Sequence, residues 1–143
     1  MPKQAEVRFY FDEDLLGSAK IIAALRPDCT YPGDPGATIH RRHRSACPIA
    51  KGTKDTVWLP TVAKAGWVIV TRDLNIRSTP AELRAVKEHG ARMVALADAN
   101  NNWAQLELFM QRWRRIEELC TLPGPFIYQA SRSRFRELDL AAA

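Results

Sequence analysis

Three short apolar runs, "RFYF" at residues 8–11, "WVIV" at 67–70 and "RMVAL" at 92–96, constrain this chain more than anything else in it. A strand with one wet face alternates apolar and polar residues, whereas a strand buried on both faces reads as a continuous apolar stretch. WVIV and RMVAL are of the second kind, and Val7–Phe11 joins them apart from Arg8. Covering both faces of such strands takes helices, and the intervening segments supply them. Between Gly17 and Pro27, Ile22, Leu25 and flanking alanines recur at helical spacing. A second helix is expected from near Thr53–Asp55 to Gly66, with Val57, Trp58, Val62 and Ala65 inward and Pro60 in its first turn. In "STPAEL", Thr79 stands as N-cap, Pro80 as first helical residue and Glu82 as capping-box partner, and Gly90 closes the helix.

Trp103 to Leu119 reads as one long amphipathic helix, its stripe formed by Leu106, Phe109 or Met110, Trp113, Ile116 and Cys120. "PFIYQA" and "RFRELDL" alternate with period two around "SRS", which predicts a terminal hairpin, and a short strand is expected near Ala37–His40. Strand and helix alternate four times before the hairpin. The expected fold is therefore α/β, a three-layer sandwich with a mainly parallel sheet and a C-terminal β-hairpin. The 143 residues suit a single domain, with no repeat, low-complexity segment or linker. The opening residues lack the apolar core of a signal peptide, and no run approaches the roughly 18 apolar residues of a membrane span, so no membrane association is expected. Cys29, Cys47 and Cys120 are odd in number and scattered, which argues against a disulfide framework and suits a reducing cytoplasm. Lys and Arg number 21 against 16 acids, a net charge of +5, which favours a polyanionic partner.

The acids are placed less evenly than the bases. Asp12, Glu13 and Asp14 stand in a row at the end of the first apolar run. Like charges repel, and a buried carboxylate costs several kcal/mol unless something positive compensates it. Ligands of open parallel sheets bind beyond the carboxyl ends of the strands. Asp12 and Asp73 each follow a strand and so share one edge, and Asp55 reaches it if its helix points its N-terminus there. Oxygen ligands gathered in this way suit Mg²⁺ or Mn²⁺. The competing reading is helix capping by Asp12 and Asp73. Asp14 is equally a second-tier ligand or a capping, solvated residue; Glu13 is expected to face away, because neighbours in extended chain alternate. Asp98 looks like turn chemistry and Asp34 like part of a Pro/Gly turn.

The order "FYFDEDLLG", "GTKDTVWLPTVAKAGWVIVTRDLNIR", "STPAELRAVKEHGARMVAL" resembles the PIN-like domain family, in particular its VapC-type toxin branch, over nearly the whole chain. The resemblance implies a metal-dependent ribonuclease in which Asp12, Asp55 and Asp73 bind Mg²⁺ or Mn²⁺ and carry catalysis, Thr71 steadies the site by hydrogen bonding, and a cognate antitoxin restrains the enzyme. Asn75 departs from the pattern: many relatives place an acid there, and the amide brings no charge. Phosphodiester hydrolysis needs a cation to polarise phosphate and activate water, and positive charge to hold the rest of the polyanion. Lys51, Lys54, Arg72 and Arg77 flank the acids and suit RNA contact; a solvated surface is the competing reading for each.

Two further functions compete. "FDEDLLG" also resembles the Asp-x-Asp start of haloacid-dehalogenase-type phosphatases, but no acidic pair follows; a non-catalytic PIN-like binding module stands beside the nuclease because of Asn75. Cys29, His40, His43 and Cys47 match no compact zinc-finger spacing, and the bases of "HRRHR" repel a cation. That loop and the tail bases Arg132, Arg134 and Arg136 are candidate surfaces for RNA or an antitoxin, with an ordinary exposed loop as the competing reading of "HRRHR". The four tryptophans are read as core packing, and the terminal hairpin with the apolar helix stripe suits a homodimer.

Overall fold

The computed structural model describes residues 2–72 and 79–141. Its centre is a six-stranded sheet built from β2 (Phe9–Phe11), β3 (Cys29–Thr30), β6 (Val68–Thr71), β7 (Arg92–Leu96), β8 (Phe126–Ala130) and β9 (Phe135–Glu137). The spatial order is β3-β2-β6-β7-β8-β9; the first five strands are parallel and β9 returns antiparallel to β8 as the expected hairpin. A separate three-stranded sheet, β1 (Lys3–Gln4), β5 (Arg42–Arg44) and β4 (Ala37–Ile39), lies outside it. Only its β4 was foreseen.

Side chains that alternate along the central strands divide between two cores. Phe9, Phe11, Val68, Val70, Val94, Leu96 and Phe126 pack with α1 (Leu16–Leu25), α4 (Asn102–Gln111) and α5 (Trp113–Glu118). Tyr10, Ile69, Met93 and Ile127 pack on the opposite face with α2 (Asp55–Ala65) and α3 (Pro80–His89). Helices on both faces explain why β6 is buried at every position and reads as an unbroken apolar run. The fold is the three-layer α/β sandwich. Among the described residues no helix is long and apolar enough to cross a membrane.

Several helix details differ from the sequence reading. Pro60 lies at the sixth position of α2, beyond its first turn, and Val57 is 60% exposed while Trp58, Leu59 and Val62 face the core. The carbonyl that loses its donor to Pro60 belongs to Thr56, a residue open to water. Thr79 occupies the N-cap of α3 without a side-chain capping bond, so the capping box is not formed; Pro80 begins the helix by its restricted φ, and Gly90 ends it at φ 64°. The long helix is two: Arg112 leaves helical geometry at φ −98°, ψ 7°, and its guanidinium spans to the carbonyls of Ser131 and Arg132 at 2.9 and 2.7 Å. The stripe survives the break, with Phe109 buried and Met110 66% exposed. Trp103, 76% exposed, is the tryptophan that core packing does not explain; with Ile21, Leu25 and Met110 it leaves apolar surface on the α1–α4 side.

Two aspartates are buried against arginine. Asp34 accepts from Arg44 Nε at 2.6 Å, Thr30 Oγ1 at 2.8 Å and Gly36 N at 2.9 Å. Arg44 also donates to the carbonyls of Ala23 and Arg26, and is 2% exposed. It is therefore a structural member of the "HRRHR" loop, unlike its exposed neighbours His40 to His43. Asp28 accepts from Arg8 and Arg26, and Arg8 reaches on to Glu117 at 3.0 Å.

Candidate active site

The carboxyl edge of the sheet is where β2 and β6 end side by side. Phe11 is in register with Val70, and the chain leaving β2 stays attached because Asp12 N donates to Val70 O at 2.9 Å. Asp12 then caps a single 3-10 turn (Glu13–Leu15), its Oδ1 accepting from Glu13 N at 2.7 Å, before α1 begins. The capping role is thus present, and it occupies one oxygen only. The other, Oδ2, accepts from Thr71 Oγ1 at 3.1 Å. The same hydroxyl lies 3.4 Å from Asp14 Oδ2, which also accepts from Arg72 N at 3.2 Å. A hydroxyl has one proton, so Thr71 satisfies one of the two carboxylates at a time and holds both near the end of β6.

Asp55 enters from the third direction, at the first position of α2. Its Oδ1 accepts from Trp58 Nε1 at 3.0 Å, and the Trp58 ring packs against Tyr10 at 4.9 Å between centroids, which ties the helix start to β2. Burial pushes the Asp12 carboxyl up to about 7, and the charges of Asp14 and Asp55 push the same way; the bonds from Glu13 N and Thr71 oppose them. Among the described residues neither Asp12 nor Asp55 enters an ion pair.

The other predicted residues are placed as follows. Lys54 is exposed at the N-cap of α2, and the Arg72 guanidinium donates to Asn100 Oδ1 at 3.1 Å. Asp73, Asn75 and Arg77 lie outside the described residues. Glu13 opens the 3-10 turn rather than continuing the extended chain from which its orientation was read, and its Oε1 accepts from Gly52 N at 2.5 Å. Asp98 is in a turn at φ 60°. Cys29 is fully buried, and His43 Nδ1 lies 3.2 Å from Thr38 Oγ1. Among the described residues no three His, Cys, Asp or Glu groups converge closely enough to hold a metal ion. Of the tail bases, Arg132 pairs with Glu107 and Arg136 donates to Gln129.

The family described as "PIN like domain" matches residues 7–98, which carry β2 through β7 and with them Asp12, Asp14, Asp55 and Thr71. The chain belongs to the PIN-like domain family. Its similarity within that family extends beyond the matched segment: a Mycobacterium tuberculosis protein named "Putative ribonuclease VapC45" is 30% identical over 133 residues, covering 91% of each chain. No solved structure matches the chain significantly. In this PIN-like chain Asp12, Asp14 and Asp55 come from the β2 end, the 3-10 turn that follows it and the α2 start, and the charges of Asp14 and Asp55 act on Asp12.

Proposed function

We propose that this protein is a divalent-metal-dependent endoribonuclease, working with Mg²⁺ or Mn²⁺, and the toxin of a toxin–antitoxin pair. The observation that carries the reading is the state of Asp12: a largely buried carboxylate, raised to about 7 and set against Asp14 and Asp55, at the strand edge where parallel sheets bind ligands. The donor set is oxygen only, as Mg²⁺ and Mn²⁺ prefer. Asp12, Asp55 and Asp73 are the proposed metal ligands and catalytic residues, with Asp14 a further ligand. When bound, the ion supplies Lewis-acid polarisation of the phosphate and a more acidic water.

The chain's own residues do the positioning. Thr71 O–H fixes the orientation of Asp12 Oδ2. Lys54, Arg72 and Arg77, with Asn75, hold the RNA strand through phosphate contacts. The cognate antitoxin, acting in the cytoplasm, restrains the site, and its docking candidates are the exposed bases His40–His43 and the arginine tail; a homodimer fits the family. The name of the mycobacterial relative supports the ribonuclease class.

Asp12→Asn should lower Mn²⁺-dependent RNA cleavage by at least about 100-fold and abolish the rise in melting temperature that Mn²⁺ gives the parent. Cleavage by Asp12→Asn and Asp55→Asn at the parental rate, with the Mn²⁺ shift retained, would overturn the assignment. Release of inorganic phosphate from small phosphomonoesters would favour the phosphatase instead.

A further inference from the structure

Glu13 is the middle member of three consecutive acids, and the two on either side of it crowd against Thr71. Its own side chain crosses instead to another segment, 39 positions away, to accept from Gly52 N at 2.5 Å. Gly52 belongs to the turn "KGTK", residues 51–54, which leads into α2. Gly52 has φ 80° with open space where a Cβ would stand, so it serves the left-handed turn and not a close approach. The turn is stiffened internally by Thr53, whose Oγ1 donates to Ala50 O at 2.6 Å. Glu13 is what ties it to the β2 end that carries Asp12. The bond adds nothing to the buried cores, since Glu13 and Gly52 are both exposed.

What the turn presents is charge. Lys51 and Lys54 are exposed on either side of Gly52 and Thr53, and among the described residues neither enters an ion pair or a side-chain hydrogen bond. Glu13 takes a backbone N–H rather than an ammonium group, which leaves both lysines available. We propose that Glu13 is a positioning residue that pins the 51–54 turn so that Lys51 and Lys54 grip RNA phosphates flanking the scissile one. The inference rests on the ribonuclease reading and gives it a binding subsite with a built-in strut. Phosphate contacts of this type set affinity and salt dependence and leave base identity unread.

The test uses the full chain and a single-stranded RNA, measured both for binding in Ca²⁺ and for cleavage in Mn²⁺, together with hydrogen exchange at the Gly52 amide. Glu13→Ala should expose that amide and raise KM and the RNA dissociation constant about fivefold while kcat stays within about twofold, as loss of one charge-assisted hydrogen bond implies. Glu13→Gln, which keeps an acceptor, should restore most of the binding. In a Lys51→Ala/Lys54→Ala background, Glu13→Ala should add almost nothing, since the residues act as one unit. Unchanged KM and dissociation constant in Glu13→Ala, a fall in kcat alone, or full additivity with the lysine pair would each overturn the proposal. A parent that binds RNA without cleaving it refutes the ribonuclease reading but still lets the binding data decide the role of Glu13. A parent that does neither overturns both.

Discussion

Asp34 and Asp12 sit at opposite extremes of what one chain does with an aspartate. Asp34, 1% exposed at its side chain, meets Arg44, a threonine hydroxyl and a backbone N–H, so both of its oxygens face donors. Asp28 is served likewise by Arg8 and Arg26, and those donors hold its carboxyl below the usual range against the effect of burial. Asp12 also accepts two hydrogen bonds, yet burial, joined by the charges of Asp14 and Asp55, raises its carboxyl to about 7. The chain has the means to neutralise a buried carboxylate and spends arginine on it twice. At the carboxyl edge of the sheet, Asp12 and Asp55 enter no ion pair among the described residues. Structural acids bring their own cation, whereas a site leaves that place to something from outside.

The comparison breaks most visibly at Arg44. Arg44→Met leaves Asp34 buried and unpaired, and should cost about 3–5 kcal/mol of unfolding free energy in urea denaturation. Asp28→Asn should be milder, about 1–2 kcal/mol at neutral pH, because Arg8 and Arg26 are partly exposed and can turn to water. Its pH dependence carries a definite sign. The folded state binds fewer protons at Asp28 than the unfolded state, so the contribution is present above the ordinary aspartate value and is lost as pH falls through the lowered one. Parent and Asp28→Asn should therefore converge in stability below about pH 4. Smallest, and opposite in sign, is Asp12→Asn without added metal. It removes a charge from a crowded site and should raise stability by about 1 kcal/mol at pH 8, the gain shrinking in high salt. A loss of stability there would mean that Asp12 is structural in the way Asp34 is.

How much of this was readable beforehand depended on the source of the signal. β6 and β7 were legible because burial on two faces leaves no choice of residue, and the helix ends at Gly66 and Gly90 because left-handed backbone favours glycine. The carboxyl-edge rule placed Asp12 and Asp73 at one edge, and Asp73 lies outside the described residues. Thr71, whose hydroxyl donates to Asp12 Oδ2, came from the PIN-like resemblance and not from that rule. The break at Arg112 was invisible, since the apolar stripe continues across it and its tertiary bond to the turn between β8 and β9 leaves no mark in the local sequence. Of the small outer sheet only β4 was legible; β1 was not, for Lys3 and Gln4 are polar and exposed and carry no hydrophobic period. Arg44 was hidden among like residues of a basic loop. The Glu13–Gly52 bond joins two surface positions, and neither carries a periodic or compositional mark.

The neighbours of β2 also bear on how the protein comes into being. β2 pairs with β6, whose residues are made some sixty positions later, and β6 in turn lies beside β7, which β8 covers. A chain growing from its N-terminus therefore exposes Asp12 long before Thr71 and Val70 exist to hold it. Pairings this distant in sequence close late, once most of the chain is available. Any contact that needs Asp12 and Thr71 together therefore waits until β6 has been inserted beside β2.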